Sequence, residues 1–518
     1  MTDRRFLLKV LGLSTAPRVL TALLTLVSFS VMVRAVGASA YGIIVYLGAI
    51  IAILESFVDL GVSSAAGKGI AEARVERPGT LRAEVAAWAR LQTRVAIAGC
   101  VPFLAVAYLA AAWNSKMTID GWLVVVLSLA TWIAIAANFI RACLRSCLAF
   151  ESLAVQDTVE SVVRSATWFA VAWFVPTTMG LAVAGVVTIV VSGALGLVML
   201  ARVLRRDYPY LDRTARLAAR GGLSRRAMLR DSFSFLGLRV SLRLFQGLPI
   251  TAMGTLFGAN IVGIVGAFAR ITDQVNFPFV VIGNALAVRA PEVMSKGREA
   301  IVALWDAALR FMVSSVVLGC GVFLGADVLA RVLTPGSAVA GAAFAILSIT
   351  VMTTAVGAIV APMSDYVGAL RRRVVVISAF VVAQLPVIWV GGKVYGELGA
   401  VAAYVFAMVL MNGAYVLIAK RVFLGRRPYA LRPEVRYLAG LVAGALVLAL
   451  ATRTGLRGAS APLGRTIDAS VIPIVVFASV VFGGVALSRT TRTAFLSRSF
   501  FDFTGGQGAA GASGESGP

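Results

Sequence analysis

Ser232–Glu292 reads SFSFLGLRVSLRLFQGLPITAMGTLFGANIVGIVGAFARITDQVNFPFVVIGNALAVRAPE. It is two long apolar segments joined by the short turn Phe257-Gly258-Ala259-Asn260. A helix of about 20 residues, rising 1.5 Å per residue, crosses a bilayer, and each segment is long enough. The first carries Arg239, Arg243 and Gln246; the second carries Arg270, Asp273, Gln274 and Asn276. Counted from Ser232, Arg243 lies roughly 16 Å deep in a hydrocarbon core about 30 Å thick. Arg239 lies one turn shallower on the same face, and Gln246 continues the stripe. Counted from Asn260, Arg270 lies roughly 15 Å deep. Charge at that depth is costly and normally faces a bundle interior or a watery cavity, so the stretch points to an anion held within the membrane.

The whole chain shares this character. Of its 518 residues 59% are hydrophobic and 14% charged, and the mean hydropathy is +0.90. A soluble chain carries about a quarter charged residues. An all-α polytopic membrane protein is therefore expected. Met1–Val10 is a basic flank of the kind that precedes a signal peptide. The apolar run behind it continues to Val36, too long for a signal, and reads as a retained first helix. Cys100, Cys143, Cys147 and Cys320 fall in or at the ends of apolar segments and read as packing residues. With no histidine in the chain, neither a metal site nor acid–base catalysis is expected, and no cofactor. The chain reads as a non-enzyme.

About fourteen spans are expected, at 11–36, 41–64, 92–113, 121–143, 162–177, 180–201, 232–256, 261–288, 308–332, 341–364, 374–391, 397–419, 437–452 and 470–488. Of the 48 basic residues, 37 fall in segments on one side and 6 in loops on the other. Arg18, Arg34, Arg239, Arg243 and Arg270 fall within spans. By the positive-inside rule both termini are cytoplasmic. The net charge of +24 then reflects topology and contact with anionic lipid on the cytoplasmic side rather than nucleic acid. Residues 1–201 are expected to form an N-terminal lobe with helices 1–6, and 202–231 a basic cytoplasmic connector. Residues 232–424 then hold helices 7–12, 425–495 helices 13 and 14, and 496–518 a disordered cytoplasmic tail. Ala65–Leu91 is expected to form an amphipathic surface helix. Trp88, Trp113, Trp122 and Trp173 read as membrane-interface anchors.

Val36-Gly37-Ala38-Ser39-Ala40-Tyr41-Gly42-Ile43-Ile44 joins the first two helices. Phe257-Gly258-Ala259-Asn260-Ile261-Val262-Gly263-Ile264-Val265 joins the seventh and eighth. Both read Gly-Ala-x-x-x-Gly-Ile, 221 positions apart, as in a parallel repeat whose axis runs along the membrane normal.

The glycine and tyrosine pattern of Val36–Ile43, then Asp59-Leu60-Gly61-Val62, and the matching turn in the second half resemble polysaccharide-export flippases. That family belongs to the multidrug/oligosaccharidyl-lipid/polysaccharide exporter superfamily. The resemblance implies two pseudo-symmetric six-helix lobes around a central cavity, plus two C-terminal helices. It implies alternating access in a bacterial inner membrane, and a polyprenyl-diphosphate-linked oligosaccharide as cargo. It also implies polysaccharide polymerase machinery as a partner. Lipid II flippases of the superfamily have cationic cavity residues, a role that passes here to Arg18, Arg239, Arg243 and Arg270. Helices 13 and 14 would line a groove for the lipid tail.

Arginine suits a diphosphate because it stays charged and offers paired donors. Each candidate has a plainer alternative. Arg239 and Arg243 are alternatively structural arginines, Arg239 being shallow enough to snorkel. Arg270 has Asp273 one turn on as a local ion partner. Arg18, after Pro17, is near enough to reach the headgroups, and Arg34 reads as interfacial. Glu55 and Asp59, one turn apart, read as an ion-coupling site or as counter-charge to nearby arginines; Asp59 reads equally as a helix cap. Asp365 reads as interfacial. Two other functions compete with a flippase: a cation-coupled drug exporter of the same superfamily, and a membrane-embedded oligosaccharide polymerase or ligase. The deep arginines disfavour the first. Short outer loops and the missing histidine disfavour the second.

Overall fold

Backbone that crosses a bilayer must satisfy its own N–H and C=O groups, which favours helices. A computed structural model describes residues 21 and 24–425, apart from 77, 113–116, 209–224, 296 and 365–369, together with 440, 443–444 and 446–447. Its helices are α1 (Leu24–Val36), α2 (Ala38–Asp59), α3 (Val62–Glu76), α4 (Leu81–Ala112), α5 (Gly121–Ser146), α6 (Phe150–Phe174) and α7 (Thr178–Asp207). They continue as α8 (Arg225–Phe257), α9 (Ala259–Ser295), α10 (Arg298–Leu324), α11 (Ala326–Leu333), α12 (Ala340–Ser364) and α13 (Leu370–Phe423). No strand occurs among the described residues. α13 is two helices that meet at Gly396, where φ is 66°.

Local chemistry sets several helix starts. The Asp120 side chain accepts the Trp122 N–H at 3.0 Å and caps α5; Thr177 accepts the Gly180 N–H at 3.0 Å and caps α7. Between α1 and α2 the chain turns on Gly37, and between α8 and α9 on Gly258; both have φ 91°. Gly37 combines this with ψ 151°, backbone that a side chain rarely tolerates.

These two turns lie against each other. A Cβ on Gly42 would stand 2.8 Å from the Ala259 carbonyl carbon, and one on Gly263 2.9 Å from that of Ala38. The contact is reciprocal: each glycine of the repeat meets the alanine of the other copy. A continuous apolar core surrounds it, with Phe29, Tyr41, Leu47, Ile261, Phe268 and Phe344 nearly solvent-free. A second core lies among α8, α9, α10, α12 and α13, and a third joins α3, α4 and α5.

Seven helices among the described residues, α2, α4, α5, α7, α10, α12 and α13, are long and apolar enough to cross a membrane. The equally long α6, α8 and α9 carry the charges considered below.

Several helices differ from the expected spans. α6 begins at Phe150 rather than near 162, because Glu160 and Arg164 pair inside the bundle and do not require a loop. α4 begins at Leu81 and α10 at Arg298, about ten residues earlier than the expected spans. Arg90 and Arg145, outside the expected spans, are therefore helix residues. The surface segment 65–91 is instead α3, a short 3-10 turn and the start of α4. Trp88 is 2% exposed against α3 and is no interface anchor, whereas Trp122 and Trp173 lie on the exposed surface. Cys143, Cys147 and Cys320 are buried in apolar clusters. Arg18, Trp113, Asp365, most of the span 437–452, the span 470–488, most of the connector and the tail 496–518 lie outside the described residues.

Candidate functional site

Three groups of charged side chains lie within the helices. The first joins α8 to α2. The Arg239 guanidinium is ion-paired with Asp59 and lies 3.4 Å from Glu55. Asp59 also accepts the Ser63 hydroxyl at 2.6 Å and the Gln92 amide at 3.0 Å, and Glu55 accepts the Asn138 amide at 3.3 Å. Asp59 is 1% exposed and Glu55 10%. Two carboxylates thus face one guanidinium across the contact of the two lobes and leave one net negative charge there. Nearby, Gly61 (φ 75°) lets the α2–α3 turn approach the Ser232 backbone closely.

The second group lies inside the first lobe. Glu160 on α6 is ion-paired through Oε1 with Arg164 and through Oε2 with Arg141 of α5. Ser192 of α7 donates to Oε2 at 2.8 Å and accepts from Arg141 at 3.1 Å. Gln156, one turn before Glu160, donates to the Ser192 carbonyl at 3.0 Å.

The third group is on α9. Arg270 donates to the Tyr41 hydroxyl at 3.4 Å and lies 4.0 Å from Asp273, one turn on. Tyr41 packs edge-on against Phe29 (5.1 Å between centroids), which packs on Trp168 at 5.5 Å. Trp168 is one turn from Arg164 on α6. Arg270 is about 16 Å along α9 from the glycine turn, and Arg164 about 15 Å from the same end of α6. They stand at matching depth on the two lobes, and Arg164 feels the charges of Arg141, Arg270 and Asp273.

Arg243 belongs to none of these groups. It is half-buried, one turn from Arg239 on α8, with no hydrogen-bond or ion-pair partner among the described residues. The structure therefore brings Arg239, Glu55 and Asp59 together, and Arg270 with Asp273. It leaves Arg243 without a direct hydrogen-bond or ion-pair partner among the described residues, and Arg18 lies outside them. Arg34 donates to the Val332 carbonyl at 3.0 Å, tying α1 to α11. Sequence reasoning overlooked Arg141, Glu160 and Arg164. The visible signal was Gln156, Glu160 and Arg164 at intervals of four, a stripe on one helix face.

Solved structures share the fold. An inward-facing multidrug resistance transporter of the MATE family matches with TM-score 0.62 at 13% identity, over 79% of this chain and 96% of that one. The lipid II flippase MurJ in an inward closed conformation matches with TM-score 0.61 at 10% identity, over 92% and 99%. A mutant of the Vibrio cholerae MATE transporter VcmN matches with TM-score 0.54 at 15% identity, over 82% and 99%. No curated protein matches the chain. A family model described as "Polysaccharide biosynthesis protein" matches residues 7–291, more than half of the sequence. This chain is a multi-pass membrane protein and belongs to the polysaccharide biosynthesis protein family.

Proposed function

We propose that the chain is a flippase that carries a polyprenyl-diphosphate-linked oligosaccharide across a bacterial inner membrane by alternating access, for cell-surface polysaccharide synthesis. The observation that carries this reading is Arg243, a half-buried guanidinium at mid-helix depth with no carboxylate partner among the described residues. A charge so placed is costly unless an anion comes to it. A diphosphate offers the paired oxygens that a guanidinium's fork matches. Arg270, held by Tyr41, is the second ligand on the same lobe. Arg18 remains a candidate from the first helix. Arg239, already neutralised by Asp59 and Glu55, ties the lobes rather than binding cargo. Family membership supports the oligosaccharide half of the cargo.

The basic residues orient the protein, with both termini cytoplasmic and the Gly37 and Gly258 turns periplasmic. Anionic lipid contacts the cytoplasmic side. A polysaccharide polymerase receives the flipped cargo.

Native mass spectrometry of purified protein with a polyprenyl-diphosphate oligosaccharide tests this. Wild type retains the lipid, and Arg243→Gln loses it by about ten- to a hundredfold in affinity, the worth of a hydrogen bond to a charged group. Equal retention by both proteins removes Arg243 from the site. The likeness to MATE transporters favours a second reading, export of cationic drugs. Retention of a cationic dye and not of the lipid would replace the first reading with it.

A further inference from the structure

Glu160 sits among charges in a way that packing alone does not require. Among the described residues its Oε2 is held twice, by Arg141 and by Ser192, whereas its Oε1 has a single partner, Arg164. The two arginines are 25% and 29% exposed and Glu160 15%, so the trio is not sealed within the packed helices. Arg164 stands at the depth of Arg270 on the facing lobe, linked to it through Trp168, Phe29 and Tyr41.

We propose that Glu160 is a resident counter-ion that stands on Arg164 in the place a phosphate of the cargo takes, so that carboxylate and phosphate exchange on this arginine. The inference rests on the anionic cargo proposed above and extends the site to α6. When phosphate arrives, Oε1 gives up Arg164 while Oε2 keeps Arg141 and Ser192, so the displaced carboxylate is never left without a cation. An uncompensated buried carboxylate would make binding prohibitively costly. Phosphate then lies between Arg164 of one lobe and Arg270 of the other. When the cargo leaves, Oε1 returns to Arg164. A carrier must let go as well as bind, and competition from its own carboxylate weakens the hold on cargo. Glu160 is thus a positioning residue acting through Arg164, and Arg164 is the ligand.

The test is binding of two probes, inorganic diphosphate and a polyprenyl diphosphate, to full-length protein in detergent. The proteins are wild type, Glu160→Gln, Arg164→Gln and the charge-matched double variant Glu160→Gln/Arg141→Gln. Freed of its competitor, Arg164 in Glu160→Gln binds inorganic diphosphate about tenfold or more tightly than wild type does. The double variant, which adds no net buried charge, shows the same gain. Arg164→Gln loses affinity by a similar factor. Affinity in Glu160→Gln and the double variant equal to or below wild type overturns the exchange, because a merely structural Glu160 predicts that loss. Tighter diphosphate binding without any binding of the polyprenyl form supports the exchange while overturning the lipid cargo.

Discussion

Gly42→Ala is the sharpest probe of how the two lobes meet. A Cβ there would lie 2.8 Å from the Ala259 carbonyl carbon and 2.9 Å from the Gly263 nitrogen, and closer still to the Ala259 oxygen. These are backbone atoms, so no rotamer change relieves the clash. Ordinary carbon contacts begin near 3.5 Å, so the seam must part by at least about 0.6 Å. Overpacking of this kind costs about 1–3 kcal/mol. If the opposite state is free of the contact, about 2 kcal/mol shifts the balance of closed and open seam about thirtyfold. Gly263→Ala makes the mirror-image clash, 2.9 Å from the Ala38 carbonyl carbon, and carries a like penalty. Spin labels at Ser39→Cys and Asn260→Cys, both exposed beside the turns, report the seam by double electron–electron resonance. Cys100 is replaced beforehand, the other three cysteines being buried. The expected result is a longer distance population in either alanine variant. An unchanged distribution in both would refute the account of a glycine-dependent seam.

Two further outcomes follow from the same geometry. Arg239→Gln strands Asp59 and Glu55, 1% and 10% exposed, and lowers stability by about 3–5 kcal/mol. Thermal unfolding in micelles measures this, and the charge-matched Glu55→Gln/Asp59→Asn/Arg239→Gln variant recovers most of the loss; a triple variant no more stable than the single one counts against the ion pair. Gly37→Ala loses about 1–3 kcal/mol although nothing lies within 4 Å of its Cβ, because φ 91° and ψ 151° suit glycine alone. Gly37→Asn loses as much, whereas a left-handed turn would spare asparagine; rescue by asparagine contradicts the strain argument.

The apolar runs and the glycine turns made the membrane fold legible, because hydropathy and turn chemistry are local properties. Gly42 and Gly263 were visible as a repeat, but their mutual contact was not, since it joins residues 221 positions apart. The start of α6 was hidden for a physical reason: Asp157, Glu160 and Arg164 look like loop residues to any hydropathy count. They are tolerated inside because Arg141 and Ser192 arrive from α5 and α7. Trp88 was misplaced likewise, since nothing local shows that α3 folds back over it. The depth of Arg243 and Arg270 could be counted along a helix. That two carboxylates, 180 and 184 positions away, neutralise Arg239 could not.

The charge inventory bears on which ion the protein carries. Arg239 takes Asp59 and Glu55 out of play in the contact between lobes. With that group counted, Arg141, Arg164, Arg239, Arg243 and Arg270 stand against Glu55, Asp59, Asp157, Glu160 and Asp273, five guanidiniums against five carboxylates, so the charges balance. A cationic drug entering this space would meet carboxylates already committed to arginines, and Arg243, which has no direct carboxylate partner among the described residues. Binding it requires breaking an ion pair without replacing the cation's partner, and adds repulsion at close range. A diphosphate meets the reverse situation: one guanidinium free, and others whose present partners are exchangeable carboxylates. The count balances, so selectivity rests on how the pairs are arranged rather than on net charge. Arg243→Glu replaces a guanidinium that has no carboxylate partner among the described residues by a carboxylate, and is expected to turn preference from anionic to cationic probes, read as the ratio of affinities for inorganic diphosphate and a cationic dye. A ratio that stays with diphosphate would mean that Arg243 lies outside the path of the cargo and that the pairs on α6 and α9 alone choose the ion.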